Sequence, residues 1–285
     1  MKRRTFIQSA ALAVAGAGLA TSSSWAAAGS KYKNKVGLQL YSLRDLIFKD
    51  PKAVLKSVSE FGYKELETFG YNDGKLFGMP VKEYGDYVKS LGMKTISGHY
   101  GIDLLSKNWE QACADAKSLG QEYVVVPWLN KEFYSSLDVL KQTCATINKG
   151  AEVAKKNGLK MGYHNHAFEF QQVEGQLMFD VMLNELDPKL VGIEMDIFWV
   201  VNAGYDPIAY FNKYPGRFHQ WHVKDMDKSD KSRNADVGTG SIDFKTIFAN
   251  AKKSGMKHFY IEQETYPNNP TESVKNSIKN LLGIV

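Results

Sequence analysis

The feature that most constrains the fold is a junction that recurs about every thirty residues along the chain. At each junction a glycine follows a helical pattern, and a short stretch rich in Val, Ile, Tyr or Phe comes directly after it. Glycine is the residue preferred just beyond a helix C-terminus, and such apolar stretches suit buried strands. Alternating helices and strands predict a parallel sheet. The junctions lie at residues 61–67, 91–97, 119–125, 157–163 and 254–260.

Three further strands fit the gaps between these junctions, at residues 36–40, 190–196 and 218–223. The total is eight β/α units, and eight units in about 250 residues is the size of a closed (β/α)8 TIM barrel. We therefore predict an α/β chain with one barrel domain at residues 29–285. An open, doubly wound sheet is the alternative, but the glycine-rich nucleotide motifs that usually accompany it are absent from the sequence.

The first 28 residues have the pattern of a cleavable signal peptide. Lys2, Arg3 and Arg4 are followed by an apolar run at residues 10–20 and by small residues at 26–28. The paired arginines before Phe6 are typical of a twin-arginine signal, which exports folded proteins. We expect a periplasmic protein that has no membrane segment after cleavage; an uncleaved anchor is the alternative.

Charge argues against a nucleic-acid partner. The 285-residue chain has a formal net charge of +5, and without the three bases of the signal it has 33 basic against 31 acidic residues. A nearly neutral domain has little long-range attraction for phosphate backbones.

The two cysteines, Cys113 and Cys144, are interpreted as buried unpaired thiols rather than as a disulfide.

Polar side chains cluster where the predicted strands end. The carboxyl ends of barrel strands meet at one mouth, which is where the active sites of this fold lie. Converging carboxylates and imidazoles need a compensating cation, and mixed oxygen and nitrogen ligands suit Mn²⁺, Zn²⁺, Fe²⁺ or Co²⁺ better than Ca²⁺. We expect one such divalent metal, and a metal-free polar pocket is the alternative. The strand-end residues are Glu67, His99, His164, His166, Glu194, Asp196, His222, Lys224, Glu262 and Glu264.

Several motifs in a fixed order resemble the xylose-isomerase-like TIM-barrel family of sugar phosphate isomerases and epimerases. The resemblance runs from about Lys35 to the end of the chain. Its motifs are Gly37-Leu38-Gln39-Leu40-Tyr41-Ser42-Leu43-Arg44, Tyr163-His164-Asn165-His166 with Phe168-Glu169-Phe170, Glu194-Met195-Asp196 with Trp199, Ala203-Gly204-Tyr205-Asp206-Pro207, His222-Val223-Lys224-Asp225, Gly238-Thr239-Gly240 and Ile261-Glu262-Gln263-Glu264.

The resemblance implies a single divalent metal beside a sugar substrate. Asp196, His222 and Glu262 match the last three metal ligands of the family, and His164 falls where the sugar epimerases have a glutamate. Trp199 stands where many relatives have a histidine, which leaves an aromatic surface suited to stacking a sugar ring. Arg233 and the turn at 238–240 resemble the family's substrate-binding loop. We also expect Glu67, His99 and Glu194 to contact the substrate.

These residues predict an enzyme that removes a proton next to a metal-polarised carbonyl. Glu262, His166 or His164 would be the base, and Lys224 would stabilise the enolate unless it is paired with Glu194 or Asp225. Glu264 and Glu169 are weaker candidates for the base.

Because export favours unphosphorylated substrates, we expect an isomerase or epimerase of a free sugar or keto-sugar. The alternatives are a 3-keto-glycoside lyase that uses the same metal and base, and a non-catalytic sugar-binding protein. DNA repair of the endonuclease-IV type is disfavoured, and a homo-oligomer is left open.

Overall fold

The computed structural model describes residues 32–285, and the predicted signal peptide at 1–28 lies outside them. Eight parallel strands form a closed barrel in which each strand pairs with its neighbours in the sequence and the last pairs with the first. The prediction of a TIM barrel is confirmed. The barrel strands are β1 (Val36–Gln39), β2 (Glu65–Thr68), β3 (Lys94–His99), β4 (Tyr123–Val126), β5 (Lys160–His164), β6 (Val191–Asp196), β7 (Gln220–Val223) and β8 (His258–Ile261).

Helices surround the barrel, and short hairpins extend three of the loops at its mouth. The α-helices are α1 (Arg44–Ile47), α2 (Pro51–Phe61), α3 (Val81–Ser90), α4 (Trp109–Ser118), α5 (Leu137–Lys156), α6 (Met178–Glu185), α7 (Ile197–Asn202), α8 (Pro207–Lys213), α9 (Phe244–Ala249), α10 (Ala251–Ser254) and α11 (Pro270–Leu282). Short 3₁₀ turns lie at Leu40–Leu43, Ile102–Ser106, Lys131–Tyr134 and Phe168–Phe170. The hairpins pair Lys75–Leu76 with Met79–Pro80, Gln172–Val173 with Gln176–Leu177, and Asp225–Met226 with Asn234–Ala235.

The junctions predicted from the sequence have the expected backbone geometry. The five junction glycines all have positive φ, between 72° and 103°, which is the left-handed conformation that ends a helix without steric cost. At the opposite end of α2, the Asp50 carboxylate accepts a hydrogen bond from the backbone N–H of Ala53 at 2.9 Å, and Pro51 occupies the first turn. These local signals mark where the helices begin and end. The glycines are Gly62, Gly92, Gly120, Gly158 and Gly255.

The strand register brings the predicted polar residues to one level of the barrel. His164 on β5 is paired with Glu194 on β6, and Asp196 is paired with His222 on β7. On the other side, Gln39 is paired with Glu67. Because the strands are parallel, all of these residues lie near the carboxyl-terminal mouth.

A continuous apolar core fills the space between the barrel and its helices. Cys113 and Cys144 are both buried and unpaired within it, as predicted. In residues 32–285, no helix is both long and apolar enough to span a bilayer.

Strand β1 closes the barrel only because residue 37 is glycine. A Cβ atom at this position would lie 2.4 Å from Cδ1 of Tyr260 and 2.7 Å from the carbonyl oxygen of Phe259, both on the adjacent β8. Gly37→Ala should therefore lower the free energy of unfolding by about 1–3 kcal/mol, because the strands must separate to accommodate the methyl group. Gly101→Ala is the control, since a Cβ there meets nothing within 4 Å. Chemical denaturation checks this, and equal stabilities of the two variants would contradict it.

Candidate active site

Three imidazoles surround the carboxylate of Glu194 at the centre of the mouth. Its Oε1 lies 2.8 Å from Nε2 of His99, 3.1 Å from Nδ1 of His164 and 3.1 Å from Nε2 of His222. Glu194 is fully buried, and its other oxygen has no hydrogen-bond partner. A buried carboxylate fixes a neighbouring histidine by accepting its proton, so Glu194 determines how these rings are oriented.

Glu67 acts on His222 in the same way from the opposite side. Its Oε2 lies 2.6 Å from Nε2 of His222 and accepts a hydrogen bond of 2.9 Å from Nε2 of Gln39. This contact favours a proton on Nε2 of His222, and Nδ1 of the same ring lies 3.0 Å from Oε2 of Glu262, so a metal at Nδ1 would replace a proton there. Neither Glu67 nor Glu194 lines the cavity at the mouth, although both were predicted to contact substrate. Both carboxylates are fully buried against the histidines.

The remaining nitrogens of two of these rings face two carboxylates across a small space. Nδ1 of His222 and Nε2 of His164 each lie 4.0 Å from Oδ2 of Asp196, and Nδ1 of His222 lies 3.0 Å from Oε2 of Glu262. Ligands that are each about 2.1 Å from one ion lie roughly 3–4 Å apart, so the spacing fits a divalent metal. Asp196, His222 and Glu262 form one candidate ligand group, and His164 joins a second group with His99, Glu194 and His222.

Lys224 is a fully buried cation beside this group. Its Nζ lies 3.0 Å from Oδ2 of Asp196 and 2.8 Å from Oε2 of Glu262, and it also contacts Glu264. Burial alone would lower the pKa of Lys224, but the three carboxylates outweigh it and raise this pKa well above its ordinary value. The ammonium is therefore charged. Its partners are neither Glu194 nor Asp225, the pairings considered from the sequence.

Asp225 instead holds the loop that follows β7. Its carboxylate accepts hydrogen bonds of 2.8–3.1 Å from the backbone N–H groups of Met226, Gly238, Gly240 and Ile242. The turn at 238–240 is thus fixed to the barrel. Arg233 lies in the same loop but is exposed and does not line the cavity.

A cavity of about 800 Å³ opens above the polar cluster. Of the predicted site residues, His99, His164, His166, Trp199 and Glu262 line it, and Glu264 lies on the same wall. The wall also carries aromatic side chains that the sequence analysis did not assign to the site, and we name four of them the aromatic rim: Tyr41, Phe69, Trp128 and Phe168. Their positions could have been predicted from the sequence in part, because Tyr41, Phe69 and Trp128 each follow the end of a strand by one or two residues.

His166 and Trp199 form the wall between the metal-ligand cluster and the aromatic rim. Their ring centroids are 5.7 Å apart, and Nζ of Lys224 lies 5.3 Å from the Trp199 ring centroid. Burial, followed by the charge of Lys224, lowers the pKa of His166 to about 3. The His166 imidazole is neutral at neutral pH.

The family assignment follows from comparison with known proteins. The model of the family described as xylose isomerase-like TIM barrel matches residues 55–282. The chain belongs to this family. The sequence-based resemblance is confirmed, and the match includes all eight barrel strands except β1.

Named relatives and solved structures agree with this assignment. Inosose dehydratase of Lactiplantibacillus plantarum is 24% identical over 205 residues, covering 60% of this chain and 67% of the relative. The enzyme of the same name from Clostridium beijerinckii is 28% identical over 138 residues, and this chain spans about half its length, 46%. A sugar phosphate isomerase/epimerase from Parabacteroides distasonis superposes with a TM-score of 0.78 and 29% identity, covering 88% of this chain and 100% of that one. These likenesses support an enzyme with isomerase/epimerase-like or lyase activity.

A more distant structure shows the same fold. The IolI protein, solved with a binding zinc atom, has a TM-score of 0.70 at 16% identity and covers 88% of this chain and 98% of its own. At this identity the likeness concerns the barrel alone.

Glu169 is a buried carboxyl group that should make stability depend on pH. It accepts hydrogen bonds from the Tyr163 hydroxyl at 2.7 Å and from the backbone N–H of His166 at 2.8 Å. Burial nevertheless raises its pKa to about 8, whereas the unfolded value is about 4.3. The folded chain therefore holds this proton more tightly, so its stability falls as pH rises from about 5 to 8.

Glu169→Gln should reduce this loss of stability, because glutamine cannot ionise. The midpoint of thermal unfolding, measured at pH 5 and pH 8, is expected to fall less for the variant than for the wild type. Glu132→Gln is the control, since Glu132 is exposed and should leave the pH dependence unchanged. An unchanged dependence in Glu169→Gln would show that Glu169 is ionised in the folded chain.

Proposed function

We propose that this chain is a metal-dependent sugar isomerase or epimerase that removes a proton from the carbon next to a carbonyl group. The observation that carries the proposal is the close approach of four candidate ligand atoms at the barrel mouth, each within 4.0 Å of at least one other. They belong to His164, Asp196, His222 and Glu262. A bound divalent ion of the Mn, Zn, Fe or Co class would polarise the carbonyl and lower the cost of proton removal.

His166 is the proposed base. It lines the cavity, and its Nδ1 has no hydrogen-bond partner within the described residues. Glu262 is the alternative base, but it already contacts both His222 and Lys224. Lys224 is fully buried and does not line the cavity, so the role we assign to it is to hold Asp196 and Glu262 in place and to offset their charge.

The cavity wall favours an unphosphorylated substrate. Among residues 32–285, the side chains that line it include no arginine or lysine, which are the usual partners of a phosphate group. Trp199 offers an aromatic face for the sugar ring. The predicted export signal supports the same proposal, since it would direct the chain to the periplasm, away from the cytosolic sugar phosphates.

A lyase is the second candidate. Relatives named inosose dehydratase support it, since a dehydratase also begins with proton removal and then loses a leaving group. The lyase would use the same base and the same ligand atoms on a keto-sugar such as a 3-keto-glycoside. The two reactions differ only in whether a substituent departs after the proton is removed.

Exchange of solvent deuterium into a sugar tests the proposal directly. With reducing sugars, keto-sugars and 3-keto-glycosides in D₂O, the wild type should introduce deuterium next to the carbonyl. His166→Ala should slow this exchange by about 10²- to 10⁴-fold, the usual contribution of a general base. His258→Asn is the matched control, because His258 begins β8 at the opposite end of the barrel, where it contacts Glu65 at 2.7 Å.

The products distinguish the candidates. Deuterated isomer or epimer indicates the primary proposal, whereas an unsaturated product with loss of a substituent indicates the lyase. Sugar binding without exchange would contradict both and leave a non-catalytic sugar-binding protein. Full exchange by His166→Ala would move the role of base to Glu262.

A further inference from the structure

The aromatic rim exposes apolar surface that the proposed reaction does not require. Trp128 is 48% exposed and Tyr41 is 39% exposed, which places both among the most exposed large hydrophobic side chains of residues 32–285. Both line the same cavity. Exposed aromatic surface that is concentrated in a cavity marks a ligand-binding position more often than a scattered surface residue does.

A second ring supports each of these side chains. The Tyr41 and Phe69 rings are 5.1 Å apart and nearly perpendicular, at 83°. The Trp128 and Phe168 rings are 4.8 Å apart, at 64°. These edge-to-face contacts hold the exposed rings in defined orientations, so they form a prepared surface rather than mobile side chains.

The cavity is larger than a single sugar ring requires. Cavities of about 300–1,000 Å³ hold drug-sized ligands, which are larger than one hexose. At about 800 Å³ this cavity lies in the upper part of that range. A sugar bound at the metal-ligand cluster would therefore leave space beside the aromatic rim.

Few polar groups at the rim could bind a sugar: the Tyr41 hydroxyl and the Gln171 amide belong to residues that line the cavity, but two others are engaged within the protein. Nε1 of Trp128 donates to Oδ1 of Asn130 at 3.1 Å, and the Tyr71 hydroxyl donates to Oδ2 of Asp115 at 2.5 Å. A second sugar would need partners for several hydroxyl groups, and leaving them unpaired would be costly. A flat apolar ring needs none. The chemistry of this wall therefore favours an aromatic group.

We propose that the aromatic rim is a binding subsite for the aromatic aglycone of a glycoside whose sugar ring lies at the metal-ligand cluster. The substrate class is then an aryl glycoside whose sugar ring carries a carbonyl group, such as a 3-keto-glycoside, rather than a free monosaccharide. This inference rests on the proposed function, because the sugar must occupy the inner end of the cavity.

Calorimetric titration with two glucosides tests the subsite. The probes are 4-nitrophenyl β-glucoside and methyl β-glucoside, which share a sugar and differ in the aglycone. The wild type should bind the aryl compound about 10-fold more tightly, as expected for one or two aromatic contacts. Trp128→Ala should remove most of that preference and leave the affinity for the methyl glucoside within about twofold. Trp128→Phe should retain part of the preference.

Tyr205→Ala is the matched control, because Tyr205 is 38% exposed but does not line the cavity. It should keep the full preference. Equal binding of both glucosides by the wild type, no detectable binding of either, or a preference that survives in Trp128→Ala would overturn the proposal. Cellobiose binding as tightly as the aryl compound would assign the rim to a second sugar instead. A preference for the aryl glucoside without deuterium exchange would support the subsite and contradict the proposed function. Deuterium exchange without that preference would support the proposed function and contradict the subsite.

Discussion

The burial of four carboxylates at one end of the barrel is the constraint on which the rest of the site depends. Glu67, Glu194 and Asp196 are fully buried, and Glu262 is only 4% exposed. Charged groups withdrawn from water must be paired or coordinate a metal. Three imidazoles and the ammonium of Lys224 supply part of this compensation. The oxygens of Glu67 and Glu194 that have no partner indicate that more positive charge can be accommodated.

This constraint also explains why some carboxylates orient the histidines and others are proposed to bind the metal. Glu67 and Glu194 lie beneath the histidines, where they favour protons on Nε2 of His222 and Nδ1 of His164. The opposite nitrogen of each ring then faces Asp196. Carboxylates that do not reach the cavity thus orient the atoms proposed to hold a metal, and the reacting groups lie on rigid strand ends. The loop after β7 is held separately by Asp225, which accepts four backbone hydrogen bonds and does not take part in the ion pairs.

Much of this arrangement follows from short-range sequence signals. The junction glycines predict the helix ends, the alternation of elements predicts the closed barrel, and the positions of His164, Asp196, His222 and Glu262 predict that they meet. The ion pairs between neighbouring strands were less accessible, because nothing local to Lys224 indicates that it contacts Asp196, Glu262 and Glu264 rather than Glu194 or Asp225. The aromatic rim was missed because its members look like ordinary apolar residues until the strand ends are known. Arg233 was expected at the substrate, but the loop that carries it turns outward into solvent.

The metal content of the purified chain tests the central claim most directly. Protein prepared without added metal would be measured by elemental mass spectrometry, together with His222→Ala and the control His258→Asn, after circular dichroism has shown that each is folded. The account predicts about one Mn, Zn, Fe or Co per chain in the wild type and the control, or uptake to that level when the metal is supplied, and its loss in His222→Ala. A wild-type chain that takes up neither Mn²⁺ nor Zn²⁺, or a His222→Ala chain that keeps its metal, would contradict it.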